Sequence, residues 1–105
     1  MAIFPTRVLL ATDGSPDAEL AAQSAIELCE RTGSELHVVH VGEYLSTFYA
    51  YTEEEPAELR HTAQQLLDEQ TERIRAAGGQ VAHAHLRLGR PAEQIVLLSE
   101  ELGVG

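Results

Sequence analysis

The sequence predicts an α/β domain, with helices layered on both sides of an open parallel sheet. Three observations predict it. Short apolar runs alternate with longer stretches whose apolar residues recur at three- and four-residue steps. Each longer stretch opens at a proline (Pro16, Pro56, Pro91) and closes at a glycine (Gly33, Gly78, Gly103), the asymmetry expected of helices. The first apolar run, Val8-Leu9-Leu10-Ala11, ends at the polar turn Thr12-Asp13-Gly14-Ser15, as a strand buried in a parallel sheet would.

The elements follow in order. After the strand Val8–Ala11, Ser15-Pro16-Asp17 supplies an N-cap, a proline at the first helical position and an acid in the first turn. Leu20, Ala21, Ser24, Ala25 and Leu28 share one face of that helix, which is expected to be its apolar one. Arg31 sits near its end and Gly33 stops it. A second strand, Glu35 to Val41, carries Leu36, Val38, Val39 and Val41. The segment from Gly42 to Thr52 reads as a loop. Glu55-Pro56 opens a second helix with Leu59, Ala63, Leu66, Leu67 and Ile74 inward, ended by Ala77-Gly78-Gly79. The third strand, Gln80 to Leu88, alternates: Ala82, Ala84, Leu86 and Leu88 on one side, Val81, His83, His85 and Arg87 on the other. Its polar face marks a sheet edge. Gly89-Arg90-Pro91 turns into a third helix with Ile95, Leu98 and Leu102 on its apolar face.

The order β-α-β-α-β-α argues for parallel strands joined by crossover helices. With the third strand at one edge, right-handed crossovers give the spatial order 3-2-1. The first strand then ends the sheet, although it has the apolar character of a central one. A further strand, from residues beyond this sequence or from another chain, is therefore expected beside it. No repeat, low-complexity tract or linker interrupts residues 1–105, which read as a single domain.

Composition excludes several classes of partner. Apolar residues make up 44%, enough for a packed core. The formal charge is −10, from 7 basic and 17 acidic residues, including the run Glu53-Glu54-Glu55. Such a balance repels nucleic acid and anionic lipid. A lone Cys29 has no partner within the chain, which suits a reducing cytoplasm. The opening residues show no basic leader, and no apolar run reaches membrane-spanning length.

If chain direction reverses beyond the first strand, the crevice at that reversal is where open α/β sheets bind ligands. Thr12-Asp13-Gly14-Ser15 lies at its mouth. Asp13 offers a carboxylate to ribose hydroxyls or an exocyclic amine, or it braces the turn into the helix; the residues alone leave both readings open. No Gly-x-Gly-x-x-Gly and no Gly-Lys-Ser/Thr loop is present, which excludes the usual dinucleotide and P-loop sites. A receiver domain would need an aspartate after its third strand, where this chain reads Leu88-Gly89-Arg90.

The stretch RVLLATDGSPDAELAAQSAIELCERTGSELHVVHV resembles the opening of the universal stress protein family, and GRPAEQIVLLSEELGVG resembles that family's third turn and helix. The resemblance implies a Rossmann-like five-stranded sheet of order 3-2-1-4-5, of which this chain encodes the first three strands as a C-terminally truncated domain. It implies stress-response binding of an adenine nucleotide, ATP with Mg2+ as companion ion, with little or no catalysis and at most slow ATP hydrolysis. Asp13 would hold ribose or adenine, Ala11 and Thr12 would line the base, and Val41 would meet adenine through its backbone. The family's phosphate loop, Gly-x2-Gly-x9-Gly-Ser/Thr, follows the fourth strand and lies outside this sequence. The family also implies a homo-oligomer. A nucleotide-independent dimerisation module of the same family is the alternative.

Other groups have simpler readings. His83 and His85 share a strand face a metal could use, but sequence places no acid or thiol beside them, so a solvated face is expected. His37 and His40 fall on opposite faces of the second strand and read as packed histidines. Cys29 reads as a small core residue. Tyr44, Phe48, Tyr49 and Tyr51 cluster in the loop and read as packing or partner contacts.

Overall fold

A computed structural model of the protein describes residues 7–43 and 57–103. They form β1 (Arg7–Ala11), α1 (Pro16–Thr32), β2 (Glu35–Glu43), α2 (Ala57–Ala76), β3 (Val81–Gly89) and α3 (Pro91–Leu102). The expected aromatic cluster Tyr44–Tyr51, the acidic run Glu53–Glu55 and Pro56 lie outside the described residues.

The sheet has the order β1-β2-β3, and both pairings are parallel. The register runs from Arg7↔Glu35 to Ala11↔Val39 on one side of β2 and from Leu36↔Val81 to Glu43↔Gly89 on the other. The 3-2-1 order is therefore present. Among the described residues β1 pairs with β2 alone, so the further strand expected beside it has no counterpart there. One edge of β1 is open accordingly. Leu10 is buried, Val8 and Leu9 are half-buried and Ala11 is exposed.

Local chemistry sets the helix ends. The Ser15 side chain accepts from the Ala18 N–H at 3.2 Å, and Pro16 follows at the first turn. Gly33, at φ 72°, closes α1 in the left-handed region, where its N–H bonds the Cys29 carbonyl. α3 starts with Pro91 and stops at Gly103 in the same manner.

The two crossovers β1-α1-β2 and β2-α2-β3 run in the same direction, so right-handedness puts α1 and α2 on one face. Leu10, Leu36 and Val38 of the sheet meet Ala25 and Ile26 of α1 and Leu67 and Ile74 of α2 there. α3 lies across the other face. Arg7 donates to the Leu102 carbonyl at 2.6 Å, Arg87 pairs with Glu101, and Leu98 is buried.

Two expectations about faces need correction. The buried side of α1 is Ala25 and Ile26, with Ala18, Ala22 and Cys29 half-buried, whereas Leu20, Ala21, Ser24 and Leu28 are exposed. This helix carries apolar residues on two neighbouring stripes, and only docking chooses between them. The second correction concerns β3. A register shift where Leu36 pairs Val81 but His37 pairs His83 leaves Ala82 as an extra residue. The bulge turns Val81 to the core side, where it packs against the α1–α2 cluster; His83, His85 and Arg87 keep to the opposite face.

The α1 correction is testable. Leu67, 1% exposed, sits between α2 and the sheet, and Leu67→Ala should cost about 2–5 kcal/mol in urea unfolding. Leu20, 64% exposed, belongs to the stripe first expected to be buried, and Leu20→Ala should change stability by less than about 0.5 kcal/mol.

Candidate functional site

The carboxyl ends of β1 and β2 open into a cleft of about 770 Å3. Its walls are Val39 and Val41 of β2, Leu59, Ala63 and Leu66 of α2, and Pro91 and Ile95 of α3. Ala11, Thr12, Asp13 and Ser15 form its rim, with His40 below. A second depression of about 850 Å3 lies at the opposite end of the sheet, lined by Gly33, Gly78, Gly79 and Cys29. The first is the better candidate because the carboxyl ends of strands, a helix start and an exposed carboxylate converge there.

The rim is held from beneath. Thr12 is buried, and its hydroxyl donates to Oε1 of Gln70 on α2 at 3.3 Å. The same hydroxyl oxygen accepts from the Gly14 N–H at 3.5 Å. Nδ1 of buried His40 is 2.8 Å from the Thr12 carbonyl, which can only accept, so this nitrogen carries the proton. Gly14 turns at φ 80°, and a Cβ there would meet Leu66 at 3.4 Å and the Gln70 amide at 3.5 Å. The loop is thus fixed by α2 and β2.

The four expected site residues, Ala11, Thr12, Asp13 and Val41, all line this one cleft. They do not contribute alike. Thr12 directs its hydroxyl away from the opening, toward Gln70, and presents mainly backbone. Val41 is half-buried on the wall. Asp13 is exposed, and the bracing reading is the one seen directly. Its Oδ1 accepts from the Ser15 N–H at 2.9 Å, which braces the turn. Hydrogen bonds from the Ser15 side chain and backbone, with a smaller contribution from His40, hold its carboxyl below the usual aspartate range. The carboxylate is thereby kept ionised and accepting at the mouth of the cleft.

Sequence reasoning missed Gln70 and the cleft walls from α2 and α3. An amide at position 70, within the inward series Ala63, Leu67, Gln70 and Ile74, was the available signal. Among the described residues no arginine or lysine lines the cleft, and its charged side chains there are Asp13 and Asp17. Apolar walls with an acceptor at the rim suit a flat heterocycle bearing hydroxyl or amine donors.

Comparison with known families matches residues 5–104 to the universal stress protein family. The chain belongs to that family. A protein of the universal stress protein family from Burkholderia pseudomallei superposes with a TM-score of 0.68 at 24% identity, covering 94% of this chain and 76% of that one. A universal stress protein solved in complex with cAMP superposes at 0.74 with 18% identity, covering 95% and 72%. The hypothetical protein MJ0577 superposes at 0.71 with 25% identity, covering 94% and 69%. No curated protein sequence matches. All three superpose on the α/β parallel-sheet arrangement described above. No helix among the described residues is long and apolar enough to cross a membrane.

The anchoring of the rim predicts a coupling. Gln70→Leu leaves the buried Thr12 hydroxyl without its acceptor and should cost about 1–3 kcal/mol in urea unfolding. Adding Thr12→Val should recover part of that loss, giving a double-mutant interaction of at least about 0.5 kcal/mol.

Proposed function

We propose that this universal stress protein domain binds an adenine nucleotide through its base and ribose at the β1–β2 cleft, as a regulatory protein of the stress response. The carrying observation is Asp13, an ionised acceptor on a braced loop at the mouth of an apolar cleft. Apolar walls from Val39, Val41, Leu66 and Ile95 take the base, and Asp13 takes paired ribose hydroxyls or the exocyclic amine. The cAMP complex of a structural neighbour supports this ligand class.

ATP is the nucleotide proposed for the assembled site. The phosphates then depend on a loop supplied outside these residues, together with the further strand beside the open edge of β1. Among the described residues no three of His, Cys, Asp and Glu are gathered for a metal. Mg2+ accompanying ATP would thus be held chiefly by the phosphates. The reading includes little or no catalysis and at most slow ATP hydrolysis, in a cytoplasmic protein that works as a homo-oligomer. Nucleotide-independent dimerisation is the second reading. The open edge of β1 favours it, as do the exposed side chains of Leu20, Leu28, Val96 and Leu97.

Calorimetric titration with adenosine and with ATP separates the readings. Adenosine should account for most of the affinity of this chain, and Asp13→Ala should weaken it by about tenfold or more, the value of a hydrogen bond to a charged group. Equal affinity of both proteins rejects the role of Asp13. Sedimentation showing a stable dimer that neither nucleotide alters would establish the second reading in its place.

A further inference from the structure

Three histidines gather on the α3 side of the sheet, away from the nucleotide cleft. His37 of β2 is 2% exposed. Its Nδ1 lies 3.0 Å from Nε2 of His85 on β3, and its Nε2 lies 3.2 Å from Oε1 of Glu35. The His37 and His85 rings stack with centroids 5.2 Å apart and 13° between their planes. The His83 ring is 5.2 Å from that of His37. The sequence could not bring His37 and Glu35 to this pair, because β2 and β3 are separated by the whole of α2.

Proton positions follow from the partners. Hydrogen bonds from His37 and Arg7 hold the Glu35 carboxyl below its usual range, so it is ionised and can only accept. Nε2 of His37 must therefore carry a proton. In neutral His37 the other nitrogen, Nδ1, is a bare lone pair, and His85 has to present an Nε2–H to it. The result is a directed chain, His85 to His37 to Glu35, linking β3 to β2. A proton added at Nδ1 of His85 leaves the chain intact. A second proton, which leaves both rings charged, sets N–H against N–H across 3.0 Å and breaks it.

The neighbours resist charge on His85. Arg7 of β1 reaches Glu35 at 3.4 Å, His83 and Arg87 flank the pair on β3, and Glu101 of α3 is bound to Arg87. Burial, followed by the positive charges of His37, His83 and Arg87, pushes His85 down, with Glu101 acting the other way. α3 lies over this face through Leu98, Glu101 and Leu102, and its first turn reaches the cleft through Pro91 and Ile95.

We propose that Glu35, His37 and His85 form a proton-sensitive latch, which ties β3 to β2 beneath α3 when the histidines are neutral and loosens that face on acidification. A histidine that binds protons more weakly when folded leaves stability whole above its unfolded pKa. That stability is lost as pH falls through the ordinary value of 6.5 toward the lowered folded one. The Glu35 contribution is separate. Its lowered carboxyl stabilises the fold above the ordinary glutamate value of 4.5 and is lost only in stronger acid. The latch does not depend on which ligand the cleft takes.

NMR titration of the histidine ring protons in the full chain, with thermal melts and amide exchange across the same range, tests it. His85 should titrate below 6.5. The melting temperature should fall by about 4 °C or more between about pH 7.5 and about pH 5.5, with α3 amides losing protection alongside. His85→Gln keeps an N–H donor without titrating and should at least halve that fall. His61→Gln, on the exposed side of α2, should leave it unchanged. Titration of His85 at or above 6.5, a flat melting profile, or an undiminished slope in His85→Gln overturns the latch. Stoichiometric Zn2+ uptake that His85→Gln abolishes also overturns it, by making the His37–His85 contact a metal site. Should the variant fail to fold, the titration and melts of the unaltered chain decide.

Discussion

Burial of β2 on both faces depends on partners for its two histidines. Val38 and Val39 are fully buried on opposite sides of this strand, and His37 and His40 are buried beside them. A polar group placed there without a hydrogen bond would cost several kcal/mol. Neither is left so. His40 bonds the Thr12 carbonyl at the end of β1, and His37 bonds Glu35 and His85 of β3. Three residues apart on a strand, the two rings face opposite layers. One secures the rim of the cleft and the other secures the far edge of the sheet.

The cleft inherits its form from this arrangement. Because β2 is central, its carboxyl end is flanked by the β1 turn and overlaid by α2 and α3, which supply the apolar walls. The polar work is confined to the rim, where Thr12, Gln70 and His40 hold the backbone and leave Asp13 outward. The loop is thus rigid below and carries an accepting charge above.

Legibility varied with the range of the interaction. Helix starts and stops at Ser15-Pro16, Gly33, Pro91 and Gly103 were readable because capping involves neighbours in the chain. The strand order followed from crossover handedness, which is likewise local in origin. The bracing of the turn by Asp13 was readable because its partner, the Ser15 N–H, lies only two residues along the chain. The face of α1 was not readable, since Leu20, Ala21, Ser24, Ala25 and Leu28 make as good a stripe as Ala18, Ala22, Ala25 and Ile26, and only Ala25 belongs to both. Nor was the bulge at Ala82, which depends on how β3 meets β2. Gln70 and the His37–His85 bond join positions 58 and 48 residues apart, beyond what any spacing rule reaches.

By itself, then, the sequence determined the α/β alternation, the helix boundaries, the parallel order of strands and the candidacy of Asp13. Propensity, capping and apolar periodicity act within a few residues and are written along the chain. The tertiary structure alone decided which helix stripe is covered, which side chains hold the Asp13 loop, and that a carboxylate stands behind a histidine pair. Those outcomes turn on burial and on hydrogen-bond geometry between segments, and both exist only once the layers have closed.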